Sequence, residues 1–159
     1  MNQILFVTGY FGAPIRETAK ALAGERGWDY FDLDRAIEER DGRSIVRICM
    51  AAGEHGYRNQ EYEIVEELAA KDGAQPLVVA CGDGVLYDDE TRQLIQRHEL
   101  VIAGSDMNPD ELWARAREED ATWHAFMMFG DEKEKEEAFR GYYLRQKTLF
   151  SLIEEGEEK

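Results

Sequence analysis

Residues 4–18 read Ile-Leu-Phe-Val-Thr-Gly-Tyr-Phe-Gly-Ala-Pro-Ile-Arg-Glu-Thr, which is the frame of an anion-binding loop with altered binding groups. A loop of the form G-x-x-x-x-G-K-[ST] grips phosphate through converging backbone N–H groups. Its lysine sits on the β- and γ-phosphates and its hydroxyl on Mg²⁺. Counted from Gly9, the last three slots hold Pro14, Ile15 and Arg16. Proline has no N–H and a fixed φ, and it biases Ala13 toward an extended backbone. Ile15 neither neutralises phosphate nor ligates a cation. Two readings stand. Either Gly9–Gly12 is a plain strand-to-helix turn, or the segment still takes an anion: Arg16, one position late, replaces the lysine, or the helix N-terminus binds some other anion. On the second reading Gly9, Gly12, Ala13 and Arg16, with Arg115 from a later helix, form the nucleotide side.

The elements that position these residues follow from pattern. Strands are expected at Ile4–Thr8, Trp28–Asp32, Pro76–Cys81 and Leu100–Ala103. The run Pro76–Cys81 is apolar throughout, as a buried parallel strand is. Helices are expected at Pro14–Gly24, Arg35–Asp41, Ile45–Ala52, Tyr57–Lys71, Asp89–Arg97, Asn108 to about Asp120, and Glu132–Glu155. Ser44 caps the third of these and Gly53 stops it. Tyr62, Val65, Leu68 and Ala69 mark one face of the fourth. Strands alternating with helices predict parallel pairing in an α/β layered domain. Ligands in such sheets bind beyond the carboxyl ends of the strands. That rim collects Gly9–Arg16, Asp32, Asp34, Gly82-Asp83-Gly84 and Gly104-Ser105.

The 159 residues, 43% of them hydrophobic, predict one domain over 1–159 with a core of its own. A net charge of −15 argues against nucleic acid, which a basic face would bind. No long apolar run or leader-like segment is present, so the expectation is a cytoplasmic protein with no membrane partner. Cys49 and Cys81 read as small apolar residues, and the three histidines have no ligand spacing. Tyr142, Tyr143, Leu149, Phe150 and Ile153 fall at helical spacing and read as core.

Over about residues 4–150 the chain resembles the shikimate kinase family. Phe31-Asp32-Leu33-Asp34 resembles the family segment after the second strand. There the first aspartate helps hold Mg²⁺ and the second contacts the hydroxyl that is phosphorylated. Ser44-Ile45, Ile48, Gly53-Glu54, Tyr57-Arg58 and Glu61 resemble the stretch S-I-x-x-I…G-E-x-x-F-R-x-x-E, whose arginine binds the shikimate carboxylate. Cys81-Gly82-Asp83-Gly84-Val85 is similar to a triple-glycine turn at the substrate, with Asp83 as its middle residue. Asn108-Pro109-Asp110-Glu111-Leu112 resembles S-P-E-E-L, and Arg145 the arginine of R-x-P-L-Y, a second carboxylate ligand. The implied fold is a P-loop-kinase-like three-layer α/β/α domain with a short, mostly parallel sheet of about four strands, the fifth missing. The implied substrate side is Asp34, Arg58, Gly82, Asp83, Gly84 and Arg145, with Asp32 for Mg²⁺. Paired arginines suit a carboxylate because each guanidinium presents planar bidentate donors. The other readings are that Arg58 is a surface arginine paired to Glu54 or Glu61, that Asp34 caps the following helix, and that Arg145 is a solvated ion-pair partner.

The departures gather on the ATP side. The loop lacks its lysine, hydroxyl and last glycine. The lid, about 118–132, carries Thr122-Trp123-His124-Ala125-Phe126 where the family has an arginine. The sequence ends in the acidic tail 154–159, where the family continues into a fifth strand. The apolar lid residues Trp123, Phe126, Met127, Met128 and Phe129 either fill the nucleotide cleft or bind a partner or second copy. The leading expectation is therefore a catalytically degenerate relative with no cofactor, keeping a small-carboxylate cleft or acting through protein contacts. The alternative is an active enzyme transferring the γ-phosphoryl of Mg-ATP to the shikimate 3-hydroxyl. In it Arg16 covers the phosphates, Asp32 holds Mg²⁺ and Asp34 orients the hydroxyl. A third reading is a regulatory subunit with no small ligand.

Overall fold

The computed structural model describes residues 3–71, 73–118, 124, 127 and 130–157. Trp123, Phe126, Met128 and Phe129 of the expected lid lie outside them. Contacts divide the chain into two compact units. One holds the chain up to Gly9 and from Pro14 to Ala103; the other holds Tyr10–Ala13 and the chain from Gly104 onward. Among the described residues no helix is long and apolar enough to cross a membrane.

The first unit is built on four parallel strands: β1 (Ile4–Gly9), β2 (Asp29–Asp32), β3 (Leu77–Ala80) and β4 (Glu99–Ala103), in the order β2-β3-β1-β4. The sheet is parallel throughout, with Val7 opposite both Ala80 and Val101 and Asp32 opposite Ala80. β1 is buried along its whole length, which is why it reads as an unbroken apolar run. On one face Leu5, Val7, Val78 and Ala80 pack against Ala19 and Ala23 of α1 (Ile15–Arg26). The alanines let the helix approach closely, and each buried leucine or valine contributes about 1.5–3 kcal/mol. α1 carries the chain from β1 past β3 to β2. The later crossings, through α2 (Leu33–Asp41), α3 (Ile45–Ala70) and α4 (Asp89–Ile95), run the other way across the sheet. Right-handed crossovers therefore put them on the opposite face.

Helix starts follow local chemistry. The Asp32 carboxylate accepts the Arg35 N–H at 3.1 Å, Ser44 Oγ that of Arg47 at 3.3 Å, and Asp88 that of Thr91 at 2.9 Å. Asp32, not Asp34, is thus the cap of α2. Gly53 breaks α3 at φ 72°, ψ 174°, but the helix resumes directly rather than at Tyr57. Its buried face is Tyr57, Arg58, Glu61, Ile64, Val65 and Leu68, and Tyr62 points outward to Glu66. The hydrophobic pattern located the stripe but missed its polar members, because an ion pair buried with its partner carries no apolar signature.

The second unit joins the Tyr10–Ala13 turn to α5 (Pro109–Glu118) and α6 (Glu132–Glu157). Asn108 Oδ1 accepts the Glu111 N–H at 2.9 Å at the start of α5. Its core is aromatic: Tyr10 stacks edge-on to Phe150 at 4.9 Å, and Trp113 lies 5.0 Å from Phe139. Phe150 and Ile153 of α6 are buried, as their spacing predicts, while Tyr143 and Leu149 are half-buried. Such ring pairs add about 0.5–1.5 kcal/mol each beyond their burial. Gly12 sits at φ 94°, and a Cβ there would run into the Leu112 backbone carbonyl. Gly27, at φ 67°, has open space around it. Gly12→Ala is expected to destabilise the chain by about 3 kcal/mol and Gly27→Ala by about 1 kcal/mol, checked by equilibrium urea unfolding. Equal losses would show that left-handed backbone strain alone matters at both.

Candidate functional site

The carboxyl end of the first unit's sheet brings together Asp34, Tyr57, Arg58, Glu61 and the Gly82–Gly84 turn. β2 ends at Asp32, so Asp34 falls in the first turn of α2. The turn after β3 is held to β1 by Thr8, whose hydroxyl donates to the Gly82 carbonyl at 2.8 Å. The buried Tyr57 hydroxyl donates to Asp34 Oδ1 at 2.5 Å. Two successive turns of α3 carry the rest: Arg58 Nη1 donates to Glu61 Oε1 at 2.6 Å and Nη2 to Glu54 Oε1 at 2.9 Å. Arg58 is only 7% exposed, so it is a buried arginine paired to both glutamates, not a surface one.

The glycines of the turn have steric reasons. A Cβ on Gly84 would occupy the place of the Arg58 guanidinium, and one on Gly82 would lie 2.8 Å from the Tyr57 hydroxyl and 3.3 Å from Asp34 Oδ2. Asp83 between them is buried. Burial pushes Asp34 up to about 6, with the Tyr57 hydrogen bond and the Arg16 charge opposing and Asp32 and Asp83 adding to it. Burial likewise pushes Glu61 up to about 7 against the pull of Arg58. Glu61 Oε2 is buried with no hydrogen-bond partner among the described residues. Burial works against the Arg58 charge, but the neighbouring Glu61 more than offsets it, and the guanidinium stays cationic.

Arg16 and Asp32, expected on the phosphate and on Mg²⁺, are paired to each other. Arg16 Nε donates to Asp32 Oδ2 at 2.7 Å, while Asp32 Oδ1 caps α2. Gly9 ends β1, packed so tightly on the Ala103 backbone that a side chain has no room.

In the second unit, the Phe11 N–H donates to the buried Gln146 Oε1 at 2.9 Å and the Ala13 N–H to the Tyr10 carbonyl at 2.9 Å. Arg115 Nε donates to the Gly12 carbonyl at 2.8 Å. Phe11 packs edge-on against His124 at 4.7 Å. Arg145 is exposed on α6, with its guanidinium 5.7 Å from the centre of the Tyr142 ring.

A family model described as shikimate kinase matches residues 16–158. The chain belongs to the shikimate kinase family. The match starts at Arg16, so the altered Gly9–Ile15 segment precedes it. The chain is 33% identical to the shikimate kinase of Chlorobium limicola over 101 residues, which is 64% of this chain and 49% of that protein. It is 35% identical to that of Symbiobacterium thermophilum over 117 residues, 74% of this chain and 64% of the relative. The chain thus spans about half to two thirds of the length of the curated relatives it matches. Among solved structures, shikimate kinase from Acinetobacter baumannii in complex with shikimate superposes with a TM-score of 0.80 at 20% identity, over 96% of this chain and 80% of that one. The enzyme from Bacteroides thetaiotaomicron gives 0.79 at 23%, over 94% and 82%. At these identities the likeness is one of fold.

Sequence reasoning missed two members of these networks, Tyr57 and Gln146. Tyr57 had a signal: it stands where the shikimate kinase pattern carries phenylalanine, so its hydroxyl needs a buried partner. Gln146 had none, since a polar residue within a charged helix looks solvated until the helix packs.

Asp34 and Glu61 hold protons in the folded chain at pH values where unfolded carboxyls, near 4, have lost them. Their contribution is therefore complete below about pH 4 and is lost as pH rises through 6 and 7. The stability advantage of the wild type over Glu61→Gln is expected to narrow from pH 5 to pH 8 in guanidinium unfolding. A constant difference would mean that Glu61 is ionised throughout.

Proposed function

We propose that this chain binds a small hydroxylated carboxylate of the shikimate type in its first unit and does not run efficient phosphoryl transfer from ATP. The fate of the loop donors carries this reading. Phe11 donates to Gln146, Ala13 to Tyr10, and Arg16 to Asp32, while Pro14 has no N–H. Phosphoryl transfer is mostly electrostatic positioning of the phosphate by such groups. The residues present do not fit a magnesium nucleotide: Ile15 stands in the lysine slot, and both oxygens of Asp32 are already engaged by Arg16 and the Arg35 N–H.

The ligand side is better equipped. Arg58 offers a planar guanidinium, the group of choice for bidentate carboxylate recognition. Of these two glutamates Glu61 is 1% exposed and Glu54 65% exposed, so Glu54 is the one a ligand carboxylate can replace. Asp34 is the acceptor for a ligand hydroxyl, and Gly82 and Gly84 keep the backbone close. The shikimate in the Acinetobacter baumannii complex makes shikimate the first probe.

Titration calorimetry tests this. Shikimate is expected to give a binding heat that Arg58→Ala abolishes and that Glu54→Gln strengthens by about threefold or more, since the competing pair is exposed. Mg-ATP at millimolar concentration is expected to give none. Phosphorylation of shikimate that disappears in Arg16→Ala would overturn the reading in favour of an active kinase.

A further inference from the structure

We propose that Tyr57 is a specificity and positioning residue that competes with ligand hydroxyl groups for Asp34, so that the resident partner of this carboxylate is the chain's own phenol. The inference rests on the ligand cluster proposed above but concerns a residue outside that assignment.

The geometry is specific. Tyr57 is completely buried, and its hydroxyl is directed at Asp34 Oδ1. A buried phenol loses its water and must find an acceptor; here it is a carboxylate, whose hydrogen bonds are roughly twice as strong as neutral ones. Asp34 itself is half-buried and stands at the rim where ligands of parallel sheets bind. Gly82 holds the space between the two groups open, because any side chain there would meet both of them. A ligand hydroxyl approaching Asp34 thus meets an oxygen already engaged by a donor that costs no ordering entropy. A hydroxyl that takes Oδ1 displaces the phenol from Asp34, at a cost comparable to a lost hydrogen bond.

Tyr57 also acts on the proton of Asp34. Its hydrogen bond favours the ionised carboxylate, as does the charge of Arg16 from α1. Asp32 at the end of β2 and Asp83 in the turn after β3 favour the protonated form. Glu61 on α3 lies in the same field and is itself affected by Asp34. Removing the phenol hydroxyl shifts this balance toward the protonated acid without changing any charge.

Tyr57→Phe tests the proposal by two readouts in the whole chain. In the first, shikimate is titrated calorimetrically into wild type and variant. The variant is expected to bind about tenfold more tightly, because Asp34 is released for the ligand. Equal or weaker binding by a variant with an unchanged melting temperature would overturn the competition. The second readout needs no ligand: the Asp34 carboxyl carbon is followed by NMR through pH. Its titration midpoint is expected to rise in Tyr57→Phe, and an unmoved midpoint would show that Tyr57 does not act on Asp34. If neither protein binds shikimate but the midpoint rises, the proposed ligand class fails while the hold of Tyr57 on Asp34 stands.

Discussion

The pair of charges formed by Arg58 and Glu61, 2.6 Å apart and nearly free of solvent, is the interaction around which the first unit's rim is arranged. Taking two ions out of water costs several kcal/mol each, and their attraction offsets that only when geometry is good and the remaining donors are satisfied. The surroundings meet these conditions. Glu54 takes another guanidinium hydrogen, the Tyr57 ring lies 4.8 Å from the guanidinium carbon, and the bare backbone of Gly84 lets the head group lie flat against the turn. Losing Arg58 would leave the buried Glu61 carboxyl without this donor, at about 3 kcal/mol. The glycine turn, the tyrosine and the helix face are therefore a single constraint seen from three elements.

That constraint leaves the rim with an unusual electrostatic character. Five carboxyl groups, Asp32, Asp34, Glu54, Glu61 and Asp83, share two arginines, Arg16 and Arg58. The unit relieves the excess by raising the proton affinity of Asp34 and Glu61 and by tying Arg16 to Asp32. Perturbed titration of clustered groups is one mark of a functional site, and buried ion-pair networks produce it too. With a chain charge of −15, a highly charged anion gains no long-range attraction here. The monocarboxylate proposed above, exchanging with Glu54, carries a single charge into this rim.

The second unit shows a different solution to a related problem. A glycine turn after a strand presents backbone N–H groups that something must accept. Here the acceptors are internal: the Gln146 amide oxygen and the Tyr10 carbonyl. The side chains of Tyr10 and Phe11 lie buried among the rings of α6. The turn has become part of a hydrophobic core, and its geometry is held by packing, with Gly12 against Leu112.

The α/β fold, the four strands, the cap at Ser44 and the break at Gly53 were all legible along the chain, because each depends on local chemistry: apolar runs, hydroxyl caps, glycine conformations. The membership of Asp34, Gly82 and Gly84 in one rim followed as well, from the rule that parallel sheets present their carboxyl ends together, whereas Arg58 was expected there only from the family resemblance. What the chain order could not reveal is who pairs with whom. Asp32 rather than Asp34 caps α2, and it also holds Arg16, the residue read as a stand-in for the lysine. Arg58 is buried between two glutamates that a linear reading places on a solvated helix face. Tyr57 and Gln146 became visible only when helices 23 and 135 residues away from their partners in sequence closed over them. Periodicity reports which side chains leave water; only tertiary packing decides which buried donor meets which buried acceptor, since that pairing is set by distances between segments that local sequence does not encode.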